Sequence, residues 1–252
     1  MAAREDFLYA GARVQARYGP RTSPAAWARL AGLSSASEWL AGLAATELRP
    51  YLAGLEPESG VHALELELRR RFHREVEAVA RWVPVPWCAT MRWTSLLPDL
   101  ALLAAIARGD ALPDWATDDP VAIAMTRDPS AARDPLSDPG GLLARISAGA
   151  LPLAAWTELW RARWPRDGAR GKKSLRKLAD DMVETLPGNT TSAAAGPAKL
   201  ARRLEGCFRR HTRDAAGVAA YLVLRWLDTR RLRGGLAQRL LSDTAGNGNA
   251  GA

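Results

Sequence analysis

The chain has 252 residues, 48% of them hydrophobic and 25% charged, with a formal net charge of +8. That is enough apolar material for a substantial core in one large or two modest domains, and no apolar run approaches the ~20 residues that cross a bilayer. The opening MAAREDF lacks the basic-then-apolar order of a secretion signal, so a cytosolic location is expected.

In chain order, LYAGARVQARYG comes first, with Tyr9, Arg13 and Arg17 on one helical face. They form either a surface stripe or a packed edge, with the Arg13 methylenes inside and the guanidinium held by a carboxylate or by helix C-terminal carbonyls. Next, Leu64, Leu68, Phe72, Val76 and Val79 recur at three- to four-residue spacing and predict an amphipathic helix that Pro84 and Pro86 end. A further helix is predicted over Ser95 to Arg108, closed by Gly109 in the left-handed conformation. Asp110 to Gly141 interleaves five prolines with aspartates and reads as an acidic connecting loop. Trp156, Trp160 and Trp164 follow at four-residue spacing, either as packing between two helical units or as a protein-contact patch. Pro187 to Ala198 is a second predicted loop, and the ending SDTAGNGNAGA is expected to be disordered. No sustained alternation rich in Val, Ile and Thr occurs, so the expected fold class is all-α.

A repeat relates the two flanks of the acidic loop. AAWARL at Ala25 to Leu30 faces AAWTEL at Ala154 to Leu159. Leu64, Leu68 and Phe72 face Leu200, Leu204 and Phe208, and Met91 to Trp93 faces Leu224 to Trp226. Two related helical units cannot bury their apolar faces alone and would cover one another about a pseudo-symmetry axis, giving a curved, funnel-like scaffold. The expected organisation is an N-terminal unit 1–112, the loop 113–141, a C-terminal unit 142–241 and a tail 242–252.

Chemistry-bearing motifs are sparse. Cys88 and Cys207 form neither a CxxC pair nor a disulfide framework, and His62, His73 and His211 match no metal-ligand spacing. Asp180 and Asp181, adjacent on a predicted helix, suit a solvated face better than a carboxylate dyad. No P-loop or strand-linked glycine fingerprint is present. The expectation is therefore no catalytic residue, no cofactor and no metal. Charge is uneven: Lys199 to Arg239 holds eleven basic residues against Glu205, Asp214 and Asp228, the whole formal excess. Only four basic residues in the chain are lysines, a bias that weakens pI as an argument for nucleic acid. RRLRGGL, Arg230 to Leu236, reads as a basic helix end stopped at Gly234.

The spacing of Tyr9, Ala12, Arg13, Val14 and Ala16 resembles the start of the funnel-shaped central-stalk subunits of V-type and archaeal-type ATPases, the family designated C or d. Trp27 to Leu55 is similar to that family's pair of short helices, with Leu43, Thr46 and Tyr51 at altered spacing, and the helix through Phe72 and the segment Arg92 to Asp110 are similar to its next two. The resemblance is clearest over the first 110 or so residues. It implies a helical funnel without chemistry of its own, seated peripherally at the inner membrane on the rotor ring and receiving the central shaft. The family has three such units, whereas two are visible here. On this reading Arg225, Arg230, Arg231 and Arg233 lie near the ring or shaft, facing acidic groups or anionic lipid headgroups. The alternative is a basic helical adaptor or nucleic-acid-binding module using Lys199 to Arg239.

Overall fold

The structure is a computed structural model that describes residues 7–19, 21–55, 60–119, 123, 139–166, 171–186 and 195–248. Its regular elements are all helical among the described residues, as the absence of strand patterning requires. The N-terminal flank contains α1 (Leu8–Tyr18), α2 (Pro24–Ala31), α3 (Ala36–Ala44), α4 (Arg49–Leu52), α5 (Val61–Ala80), α6 (Val85–Arg92), a 3-10 helix Trp93–Asp99 and α7 (Leu100–Arg108). A 3-10 turn, Asp114–Asp118, precedes α8 (Pro139–Ser147), α9 (Pro152–Ala162), α10 (Lys172–Thr185), α11 (Ala195–Arg210) and α12 (Ala215–Gly248).

Local chemistry sets the boundaries. Ser23 and Ser35 cap α2 and α3 by accepting from the Ala26 and Glu38 amides at 3.1 and 3.2 Å. Pro84 separates α5 from α6, and α7 stops at Gly109, whose φ of +72° is left-handed. Four boundaries differ from expectation. The helix expected over Ser95 to Arg108 is α-helical only from Leu100, its first turns belonging to the 3-10 helix Trp93–Asp99 that carries Pro98. Helix α8 begins at Pro139 inside the supposed acidic loop, most of which lies outside the described residues. Helix α11 begins at Ala195, within the second predicted loop, whose residues 187–194 are likewise outside. The basic segment does not stop at Gly234: α12 continues through both glycines to Gly248, beyond the expected start of the tail, and residues 249–252 lie outside. Helix context on both sides outweighs the modest cost of an interior glycine, about 1 kcal/mol.

Helix α12 is the spine. At 34 residues it is about 50 Å long, and every residue from Ala215 to Thr229 is buried. Those residues read AAGVAAYLVLRWLDT, apolar on all sides rather than on one stripe, as a helix encased by others must be. Around this half packs one continuous core that draws Phe7, Val14, Phe72 and Trp93 from before the acidic loop and Trp156, Leu178, Leu204 and Leu222 from after it. The outer half of α12 contributes Leu232 and Leu236 to a second cluster with Trp27, Trp39, Leu43, Leu64 and Leu68.

Close approach fixes the seating of the spine. A Cβ on Gly217 would stand 1.8 Å from the His211 carbonyl oxygen, and one on Gly11 of α1 would stand 2.0 Å from that of Thr212. The turn between α11 and α12 thus threads between two helices that must both carry glycine there.

The large apolar anchors of the proposed repeat are buried: Leu64, Leu68 and Phe72 on α5, Leu200, Leu204 and Phe208 on α11, and Trp27, Trp93, Trp156 and Trp226. Each set of anchors begins on a short helix, α2 or α9, and continues on a longer amphipathic one, α5 or α11.

Candidate functional site

Three features concentrate polar chemistry: a clamp beneath α1, an arginine cage on α5, and a cleft between the flanks. The clamp starts at Arg21. Its Nε and Nη2 donate to the two Asp228 oxygens at 3.1 and 2.8 Å, and its Nη1 donates to Glu205 at 2.6 Å. One turn earlier on α12, Arg225 donates to the carbonyl of Arg17 at 3.2 Å and so caps the C-terminal end of α1. Glu75 of α5 accepts from Tyr221 at 2.6 Å and from Arg17 at 2.7 Å, and Glu47 accepts from the Thr22 amide and hydroxyl. Burial pushes the phenols of Tyr51 and Tyr221 far up, so both stay protonated. The network ties α1, α5, α11 and α12 together through charge-assisted hydrogen bonds.

The cage centres on Arg69, buried on α5. Its guanidinium faces Asp99 at 2.7 Å and Asp119 at 3.6 Å, donates to the Pro98 carbonyl at 2.7 Å and lies 4.4 Å from the Trp115 ring. His73 Nε2 stands 3.2 Å from the second Asp99 oxygen. Burial opposes the imidazolium, but the hydrogen bond to Asp99 and its charge outweigh burial, and the His73 pKa is raised.

The cleft, about 280 Å³, opens between α5, the 3-10 helix, α7, α9 and α12. Leu68, Leu97, Leu153, Leu186 and Trp226 supply its apolar lining, and Glu65, Arg69, Arg230 and Arg233 its charges. Trp226, Thr229, Arg230 and Arg233 reach it because they share one face of α12.

No family model, curated protein or solved structure matches the chain. Among the described residues no three His, Cys, Asp or Glu side chains converge on a possible metal position.

The residues singled out in the sequence separate into surface and interior. Tyr9, Ala12, Arg13 and Ala16 are exposed on α1 and Val14 is buried, so the stripe is a surface one: Tyr9 does not pack inward. Arg13 lies over the Tyr9 and Trp82 rings at 5.5 and 4.7 Å, and it is Arg17, not Arg13, that a carboxylate holds. Trp156 and Trp160 are fully buried and cannot meet a partner; they stack on one another in the core, and half-buried Trp164 meets Trp160 edge to face. Trp93 and Trp156 each donate their indole N–H to the other's carbonyl, at 3.2 and 3.1 Å, so the ladder stitches the two flanks. Arg225 is also buried and leaves the surface set, because its guanidinium serves Arg17 and Tyr221. Asp181 is buried too, paired with Arg203 at 2.6 Å, whereas Asp180 faces outward against Arg161. Arg230, Arg231 and Arg233 remain accessible on α12.

Sequence reasoning overlooked Arg21, Glu47, Glu75, Asp99 and Asp228. Two carried a signal: Asp99 interrupts LLPDLALL and Asp228 interrupts LRWLDT, and a carboxylate inside an apolar run has no water-facing option, so it implies a buried cation.

Proposed function

We propose that the chain is a non-catalytic coupling subunit of a V-type or archaeal-type rotary ATPase, seated between the membrane rotor ring and the central shaft. The observation that carries this reading is the encased spine. Helix α12 is buried through Thr229, and its arginines cap helices of the N-terminal flank: Arg225 meets the end of α1, and Arg239 donates to the Leu30, Ala31 and Leu33 carbonyls at the end of α2. A body so tied resists torsion, which a coupling element needs. The residues of α1 and of Trp27 to Leu55 add the resemblance to the funnel-shaped central-stalk family, and the shared order of repeat anchors supports two related units about a pseudo-symmetry axis. No helix among the described residues is long and apolar enough to cross a membrane, so contact with the ring would be peripheral.

Arg230, Arg231 and Arg233 are the contact residues of this reading, meeting acidic side chains or anionic headgroups. The rival nucleic-acid reading loses support because much of the basic excess is spent internally. Arg203 and Lys199 pair with Glu184, Arg209 with Glu205 and Arg233 with Glu65, while Arg225 and Arg239 are buried. The test is ring association at low salt for the Arg230→Gln/Arg231→Gln/Arg233→Gln variant. Weakened binding supports the assignment of these contacts, and unchanged binding removes it.

A further inference from the structure

The cleft between the flanks has an unevenly answered set of charges. Arg69 is met from behind by Asp99 and Asp119, and Glu65 meets Arg233 at 3.3 Å. Arg230, one turn from Trp226 on the cleft face of α12, makes no hydrogen bond or ion pair with any described residue. Partial burial and the charge of Arg233 both work against its cation. Directly beside these head groups the wall is apolar: Leu68, Leu97, Leu153, Leu186 and Trp226. Leu153 and Leu186 are half-buried and Leu68, Leu97 and Trp226 buried, and a guanidinium lacking a counter-charge beside such an apolar wall is the complement of a small amphiphile.

We propose that this cleft binds a small amphipathic monoanion, a medium-chain or aryl carboxylate, with its head group between Arg230 and Arg233 and its tail on the leucines and Trp226. Size and charge narrow the class. At about 280 Å³ the cleft sits near the lower limit of small-molecule sites, roughly 300 Å³, which suits a single short chain better than two. A dianion such as a phosphate monoester would meet one unanswered cation and the Glu65 carboxylate, so a single negative charge fits better. The planar fork of Arg230 can take both carboxylate oxygens while the tail removes apolar wall from water.

The site does not depend on the rotary reading, since ligand binding is measured on the chain alone and a failure to find a ring would leave it standing. The experiment is isothermal titration calorimetry of the full chain at low salt with decanoate, decanol and decyltrimethylammonium as probes. Decanoate is expected to bind one to one, decanol at least about tenfold more weakly, and the cation not at all. Arg230→Gln, a surface change that leaves the fold intact, is expected to weaken decanoate about tenfold and leave decanol unchanged. Leu153→Trp, filling the cleft from α9, is expected to abolish both, with the melting profile reporting that the chain is folded. Equal affinity for decanoate and decanol, indifference to Arg230→Gln, or no binding of any probe would each overturn the proposal.

Discussion

At the residue scale, the buried charges hold specific elements together and do so at a cost in desolvation. Asp228 shows both sides. Full burial lifts its carboxyl pKa against the opposing pull of Arg21 and Arg225, so the ion pair yields little net stabilisation even though breaking it would be severe. Asp228→Ala is therefore expected to lower unfolding free energy by about 3 kcal/mol or more, because Arg21 keeps only Glu205. The double variant Arg21→Met/Asp228→Leu should lose clearly less than the two single losses added, and a denaturant-based double-mutant cycle measures the difference. His73 supplies the pH dependence. Its folded-state pKa is raised above the ordinary 6.5, so its contribution is fully present below that value and is lost as pH rises through the folded pKa. Denaturation across that window should show stability falling with pH, and His73→Gln should flatten the slope. These buried partners were not legible as pairs in the sequence, because Arg21 and Asp228 lie on segments whose meeting depends on the whole topology; the carboxylates of Asp99 and Asp228 within apolar runs were the one signal available, and it went unread.

At the element scale, what periodicity can report was legible. The stripe from Leu64 to Val79, the break at Pro84 and the left-handed Gly109 stand as read, since each is encoded by neighbours within a turn or two, whereas Pro86 does not break the chain but sits in the first turn of α6. The spine was not, because a helix buried on every side has no polar stripe and hence no period. The glycines of α12 separate the two situations. Gly217→Ala would drive a Cβ into the His211 carbonyl, and a loss of about 3 kcal/mol or more is expected because backbone, not a side chain, must yield. Gly234→Ala meets nothing within 4 Å and should stabilise the helix by about 0.5 to 1 kcal/mol. Thermal unfolding of the two variants reads both signs. The Trp156 ladder shows the limit of spacing arguments: four-residue intervals place three rings on one face, but whether that face meets solvent or a second helix is decided by the chain elsewhere.

At the scale of the molecule, the two flanks are mechanically one. The reciprocal Trp93–Trp156 hydrogen bonds, the Thr90–Arg163 contact at 2.8 Å and a core running from Phe7 to Leu227 join the two flanks, and the outer half of α12 ties the second cluster to that core. Near- and far-UV circular dichroism are thus expected to report a single coincident transition, and separate transitions would mean two independent bodies. Such unity suits an element that passes torque between partners, but stiffness does not name the partners. The most direct measurement is purification of the tagged chain from detergent-solubilised membranes of its native cells, with the co-purifying proteins identified by mass spectrometry. Recovery of a rotor-ring protein together with a central-shaft protein, in stoichiometric amounts, is the expected result; recovery of the chain alone, with ring and shaft intact elsewhere in the same extract, would contradict it.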